Sequence, residues 1–492
     1  MSLGDPSRPA RENSPEDVRL RVPVHVVWEL TLACNLKCQH CGSRAGRARP
    51  RELTTVESLD LVRRLAALGT REISLIGGEA YLRPDWVEII REIRRHGIYC
   101  AIQTGGRALT DDRLQAAIEA GLQGVGVSID GPPPVHDRIR AMPGCYDSAV
   151  SALVRAKAAG LRTSANTVVG APNFRLLPDV MDRIIGAGAT HWQIQLAVAM
   201  GNAVDHDDLL LQPYQMLELM PLLARLHEEG DERGLMMIVG NNVGYFGPYE
   251  RRWRDHFGEE VHWGGCAAGQ TSIGLESDGT IKGCPSLSTT GYGAGNILET
   301  PLEELWGHAD RLLFNRTRSI DELWGFCRTC YYAEVCRGGC TWTADSLFGR
   351  PGNNPYCHYR ALQLESRGRR ERIVKRREAP PESFAIGEFE LIEEPIPGRE
   401  ADAASGGETA RTSAEGAPVR RLPPVREDGL APELTLCRDC ECFIWPDETT
   451  CPHCGGDVRA AAARHEEDVR RREGLLRDLT ERIRLAQEGS AG

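Results

Sequence analysis

Cys34, Cys38 and Cys41 stand in TLACNLKCQHC with the spacing C-x3-C-x2-C. Three thiolates are one short of the four that a cubane iron–sulfur cluster takes, so one iron would keep an open coordination position. Open positions are where metals do chemistry, and closed ones hold structure. The same spacing also suits a zinc loop completed by His40 or by a distant residue. A second set runs Cys266, Cys284, Cys327, Cys330, Cys336, Cys340 and Cys357, the first two as C-x12-G-x4-C around Gly279. A third pairs Cys437 with Cys440 and Cys451 with Cys454, the spacing of a structural zinc knuckle, in which Cys442 could replace Cys440. Cys100 and Cys145 read as inert, since free cysteine packs as a small hydrophobe.

Clustered cysteines point to metal where thiols stay reduced. The first twenty residues hold no apolar signal-peptide core, and no apolar run approaches the ~20 residues that span a bilayer. The sequence therefore predicts a cytoplasmic protein with no membrane partner. With 59 basic and 70 acidic side chains the net charge is −11, which offers no footprint for a phosphate backbone, so no nucleic acid is expected.

The elements that must position the first trio are legible around it. VHVVWEL, EISLIGG, YCAIQTGG, GVGVSID, TSANTVVG and HWQIQLA are apolar runs separated by amphipathic, helix-like stretches, several ending in glycine. Strand–helix alternation with strands buried on both faces predicts a parallel sheet, either an open barrel or doubly wound. This α/β region occupies 23–235, after a disordered tail at 1–22. Residues 236–365 are Gly- and Cys-rich and weakly periodic, and are expected to lean on metal for folding. A basic helix and Pro/Glu/Ala-rich linker are predicted over 366–432, a zinc-ribbon-like module over 433–457, and a charged helix over 458–492. That helix carries Val469, Leu476, Leu479, Ile483 and Ala486 on one stripe, read as a docking face.

The first trio, with GGE at 77–79 and SIDGPPPVHDRIR from Ser128's strand onward, resembles the radical SAM enzymes. The resemblance implies a partial (β/α)6 barrel over residues 24–230. It also implies a [4Fe-4S] cluster on Cys34, Cys38 and Cys41 whose open iron chelates S-adenosylmethionine (SAM), so that these cysteines are the catalytic centre. Gly77, Gly78 and Glu79 would meet the methionine amino group, and Ser128 the ribose or carboxylate. Asp130 would shape the turn and, with Gln103 and Asn166 at the mouth, help bind the cofactor. Reductive cleavage of SAM would give a 5′-deoxyadenosyl radical, with a flavodoxin or ferredoxin-type protein as the electron source.

The seven later cysteines resemble the SPASM extension. That implies an auxiliary cluster on Cys266, Cys284 and Cys340 and another on Cys327, Cys330, Cys336 and Cys357, making three [4Fe-4S] clusters beside one zinc. The fourth ligand of the three-cysteine cluster is left open. Sulfatase-maturing relatives carry an Asp where this chain has Pro285, which disfavours formylglycine formation. The expected substrate is a ribosomally made precursor peptide, to be crosslinked, thioether-bridged, epimerised or excised. Gln193, Gln195, Asn166, Gln103 and Thr104 could bond its backbone. Only 33 residues precede Cys34, so a separate leader-recognition protein, or the C-terminal appendage, would bind the leader. Two alternatives are tailoring of a small molecule such as a haem precursor, and a non-catalytic iron–sulfur scaffold or electron-transfer adaptor.

Overall fold

The six apolar runs become six consecutive parallel strands. In the computed structural model, which describes residues 10–254, 261–398 and 433–489, these are β1 (His25–Thr31), β2 (Glu72–Gly77), β3 (Tyr99–Thr104), β4 (Gly124–Ser128), β5 (Arg162–Val169) and β6 (His191–Leu196). Each pairs in parallel with the next. Helices alternate with them, including Thr55–Ala67, Trp86–Arg95, Asp111–Glu119, Cys145–Ala158 and Leu177–Gly186. Thr54 and Glu57 close a capping box at the start of the first of these, satisfying donors that the helix cannot pair internally. The turns after Trp86–Arg95 and Cys145–Ala158 use Gly97 (φ 74°) and Gly160 (φ 77°). A Cβ on either would meet nothing within 4 Å, so the left-handed backbone is the reason for glycine there.

The sheet outgrows the predicted six units. β7 (Met236–Val239) extends it in parallel beyond β6, and β8 (Ser272–Leu275) pairs in parallel with β1 and antiparallel with β9 (Ile281–Lys282). The order is β7-β6-β5-β4-β3-β2-β1-β8-β9. Three strands of the region assigned to the cysteine-rich domain therefore belong to the barrel sheet, and no edge of that sheet falls at residue 235. β8 and β9 were hidden in the sequence by their shortness; β8 carries two large apolar residues, Ile273 and Leu275, and β9 one, Ile281.

Two further expectations are corrected. Within the tail predicted as disordered, Pro15–Leu20 forms a helix whose Ser14 and Asp17 make a reciprocal capping box. Arg71 fastens it by two 2.8 Å bonds to Asp17. The basic run predicted as a helix is instead β10 (Arg369–Arg377), paired antiparallel with β11 (Glu388–Pro395). Its arginines meet glutamates of the partner strand, Arg369 with Glu393 at 2.9 Å and Arg372 with Glu394 at 3.1 Å, while Ile373 and Phe389 are buried. Cross-strand charge pairing and one buried face outweigh helix propensity here. The remainder of the predicted linker, 399–432, lies outside the described residues.

The described residues divide into a large unit, 10–245 with 264–398, and a small one, drawn from 246–263 and 433–489. In the small unit β12 (Thr435–Leu436) and β13 (Phe443–Ile444) form a two-stranded ladder, followed by the helix Val458–Gly489. Val469 is 37% exposed. The side chains of Leu476, Leu479, Ile483 and Ala486 lie outside the described set, so the docking stripe rests on sequence. Among the described residues no helix is long and apolar enough to cross a membrane.

Candidate functional site

Cys34, Cys38 and Cys41 lie on the loop after β1, closed at its neck by Cys34 N–H donating to Gly46 O (3.2 Å) and Gly46 N–H to Leu32 O (3.0 Å). Backbone amides point at the sulfurs: Leu36 N–H at Cys34 Sγ (3.4 Å) and Ala45 N–H at Cys41 Sγ (3.4 Å). Burial, with neighbouring Cys41 adding to it, pushes the Cys34 thiol up to about 12 and Cys38 to about 11. Thiols buried in this way give up their protons when a metal's charge replaces them, which is the fit expected of a cluster site.

Gly77 and Gly78 explain how β2 reaches this loop. A Cβ at Gly77 would sit 2.2 Å from Thr31 O, and one at Gly78 would sit 2.0 Å from Ala33 O and 2.8 Å from the Cys34 Cβ. Gly78 N–H donates to Thr31 O and Glu79 N–H to Ala33 O, each at 2.8 Å. The close approach is thus to the cysteine loop's own backbone. Glu79, 1% exposed, accepts from Gly105 N–H at 2.7 Å and from the Thr104 hydroxyl. Burial raises its carboxyl to about 7, and those donors oppose the rise.

Asp130, expected to shape a turn and touch the cofactor, is fully buried with its oxygens already engaged. Oδ1 accepts from Val168 N–H (2.9 Å), and Oδ2 holds the Arg140 guanidinium at Nε and Nη2, both 2.7 Å. Arg140 Nη1 in turn lies 3.7 Å from Cys38 Sγ. Asp130 therefore fixes Arg140, a buried cation beside Cys38 that the sequence reading passed over. Its signal was present: Arg140 closes SIDGPPPVHDRIR, ten residues after the Asp. Asp137 in the same segment accepts from Gly144 N–H (2.6 Å), Tyr146 N–H (2.9 Å) and the Cys145 thiol (3.2 Å). It tethers the start of Cys145–Ala158.

Ser128 ends β4 half-buried, in register with Asn166 on β5. Asn166 Nδ2 donates to Gln103 Oε1 of β3, bridging over the strand between them. Gly126 makes that bridge possible, since a Cβ there would fall 1.9 Å from Gln103 Oε1 and 2.8 Å from Asn166 Nδ2. Gln193 and Gln195 continue the same half-buried alternation on β6, with Asn166 opposite Gln193.

Electrostatic influence among the seven later cysteines runs within two groups. Burial, with Cys266 and Cys284 adding to it, raises Cys340 to about 12. Burial raises Cys336, with Cys357, Cys327 and Cys330 adding to it. Each set has a buried cation that no motif announced. Lys282, fully buried, holds Glu276 at 2.7 Å, donates to Leu287 O at 2.7 Å and lies 3.8 Å from the Phe384 ring centroid. It acts electrostatically on Cys284, two residues on. Arg360 is clamped by both oxygens of Glu371 at 2.7 Å and acts on Cys327 in the same way. Glu276 also pairs with Arg49 (3.0 Å), which reaches Glu29 of β1 (2.9 Å). In the small unit, Cys437, Cys440, Cys451 and Cys454 bring their sulfurs within 4.8 Å of one another, and Cys442 stands outside that set.

Residues 28–190 match the family model described as the Radical SAM superfamily, and residues 266–331 match SPASM, an iron-sulfur cluster-binding domain. Among curated proteins, the chain is 29% identical to an AdoMet-dependent heme synthase of Methanosarcina barkeri, covering 69% of this chain and 97% of that one. It is 28% identical to the mycofactocin maturase MftC of Mycolicibacterium smegmatis, over 69% and 83%. Among solved structures, anSMEcpe with bound AdoMet and Cp18Cys peptide superposes with TM-score 0.55 at 19% identity, covering 69% of this chain and 95% of that one. Streptococcus suis SuiB bound to precursor peptide SuiA gives 0.51 at 16%, over 71% and 78%. Both structural likenesses concern the fold.

Proposed function

The chain belongs to the radical SAM superfamily and carries a SPASM domain, and from that premise we propose that it cleaves SAM reductively and abstracts hydrogen from a precursor peptide, installing a post-translational modification. Cys34, Cys38 and Cys41 hold the catalytic [4Fe-4S] cluster; Cys266, Cys284 and Cys340 hold one auxiliary cluster, and Cys327, Cys330, Cys336 and Cys357 the other. With SAM bound, the catalytic cluster supplies a one-electron route to removing hydrogen from an unactivated carbon, chemistry that belongs to the cofactor.

The chain's own residues bind and orient. Arg140, fixed by Asp130, presents a cation beside Cys38 that suits a carboxylate. Glu79 accepts from an ammonium, and its second oxygen keeps it aimed through Thr104. Ser128, at the strand's carboxyl end, offers a hydroxyl to the ribose or carboxylate. Lys282 and Arg360, which act on Cys284 and Cys327, would favour the more negative, reduced form of a cluster held by those cysteines.

The observation that carries the peptide reading is the row of carboxamides Gln103, Asn166, Gln193 and Gln195, all half-buried on alternating positions of β3, β5 and β6. Amides pair both donor and acceptor with a peptide backbone. A second reading, a haem precursor, is favoured by the heme synthase name of a relative matched over 97% of its length. Anaerobically reconstituted protein with SAM and dithionite should release 5′-deoxyadenosine, and deuterium from a labelled precursor peptide should appear in it. Transfer from a labelled porphyrin, with none from peptide, would replace the first reading by the second. Absence of 5′-deoxyadenosine under every condition would leave the scaffold reading.

A further inference from the structure

The small unit gathers thiols among buried apolar side chains, Phe443, Ile444 and Trp445 among them. Its core gathers Cys437, Ile444 and Cys451, with Cys440 and Val458 packed against it. Cys437 Sγ lies 3.8 Å from Cys454 Sγ, and Cys440 Sγ lies 3.7 Å from Cys451 Sγ. A tetrahedron of sulfurs about 2.3 Å from one zinc ion has edges of about 3.8 Å; two opposite edges match that, and all four sulfurs lie within 4.8 Å of one another, which suits a single ion. A cubane cluster holds its thiolates farther apart. All four positions are filled by protein, which leaves no open coordination for chemistry and marks the site as structural. Cys442 contributes its carbonyl oxygen, which accepts from Cys437 N–H at 2.9 Å, and its sulfur is outside the set.

What this knuckle organises lies far from it in sequence. Residues 246–254 and 261–263 belong to the same compact unit, although they are nearly two hundred residues upstream. The Glu250 carboxylate, fully buried, ties the two ends of that strap together by accepting from Phe246 N–H and Trp263 N–H, each at 2.8 Å. His262 joins the strap to the knuckle: its Nε2 accepts from Leu434 N–H (3.2 Å), and its ring packs edge-on to Phe443 of β13 at 5.1 Å. Three residues after Trp263 comes Cys266, the first of the auxiliary set.

We propose that Cys437, Cys440, Cys451 and Cys454 bind one structural zinc ion, and that this ion fixes the strap leading into Cys266. The inference is independent of which substrate the barrel takes. β12 and β13 are two residues each, so the metal would hold them in place beside the strap, because metal binding energy is folding energy in such modules.

The test uses full-length protein purified anaerobically with its clusters. One zinc per chain is expected, with zinc-edge X-ray absorption fitting four sulfurs at about 2.3 Å. Cys454→Ser should lose the zinc while keeping the iron content of the parent, and Cys442→Ser should lose neither. In Cys454→Ser, amide hydrogen exchange of 246–254 and 261–263 should quicken at least tenfold while that of β10 and β11 is unchanged. Should Cys454→Ser fold poorly, Glu250→Gln provides a second arm: zinc stays at one per chain while the strap amides exchange faster. Iron in place of zinc at the knuckle of the parent, or zinc loss with strap exchange unaltered, would overturn the proposal.

Discussion

Arg140 and Asp130 form a buried ion pair, and such pairs punish the loss of one partner more than they reward the presence of both. Asp130→Ala should therefore cost about 3–5 kcal/mol of stability, read as a lowered unfolding midpoint. Asp130→Asn keeps the shape and releases the guanidinium; SAM affinity should fall at least tenfold while iron content holds. Cys34→Ala should abolish SAM cleavage and leave about eight of about twelve irons, the complement of two remaining cubanes. Continued cleavage by that variant would refute the assignment of the catalytic cluster. Lys282→Met removes a buried cation beside Cys284, so one auxiliary midpoint potential should shift downward. The other should stay put, since Arg360 is paired with Glu371 at a separate set of cysteines.

Between elements, the decisive contacts are backbone against backbone. Gly78→Ala would drive a methyl group into Ala33 O, where neither strand end can yield without opening the cysteine loop. Iron bound at the catalytic site should drop sharply, with the auxiliary clusters retained, as Mössbauer or EPR spectra of the two populations would report. The β10–β11 hairpin offers the opposite lesson. Its arginine–glutamate pairs are largely exposed, and each is worth about 0–1 kcal/mol, whereas buried Ile373 truncated to Ala should cost about 2–5 kcal/mol. Arg376→Ala should accordingly leave the unfolding midpoint almost where it was.

For the molecule as a whole, acid sensitivity is built into half-buried neutral histidine. His191 at the start of β6 accepts a 2.8 Å bond from Arg162 at Nε2. Burial first, then the Arg162 charge, lowers its pKa to about 4. The unfolded chain takes up that proton near the ordinary value of about 6.5, so stability is lost as pH falls from there toward the folded value. Unfolding midpoints measured from pH 7 to pH 5 should decline, and His191→Asn should flatten the slope. An unchanged slope would show that other groups dominate.

The cysteine spacings, the GGE and SIDG segments and the six apolar runs pointed to the radical SAM superfamily and its parallel sheet before any coordinates, because ligand number and strand periodicity are local properties of a chain. The SPASM extension was legible for the same reason. Arg140, Lys282, Arg360 and the bridge of Gln103 and Asn166 over Gly126 were not, since each role depends on a partner brought near by strand register. Equally hidden were β7 to β9 joining the barrel sheet, and the hairpin in place of a basic helix. Short strands and charged strands carry too little pattern of their own, and only pairing across the fold decides them.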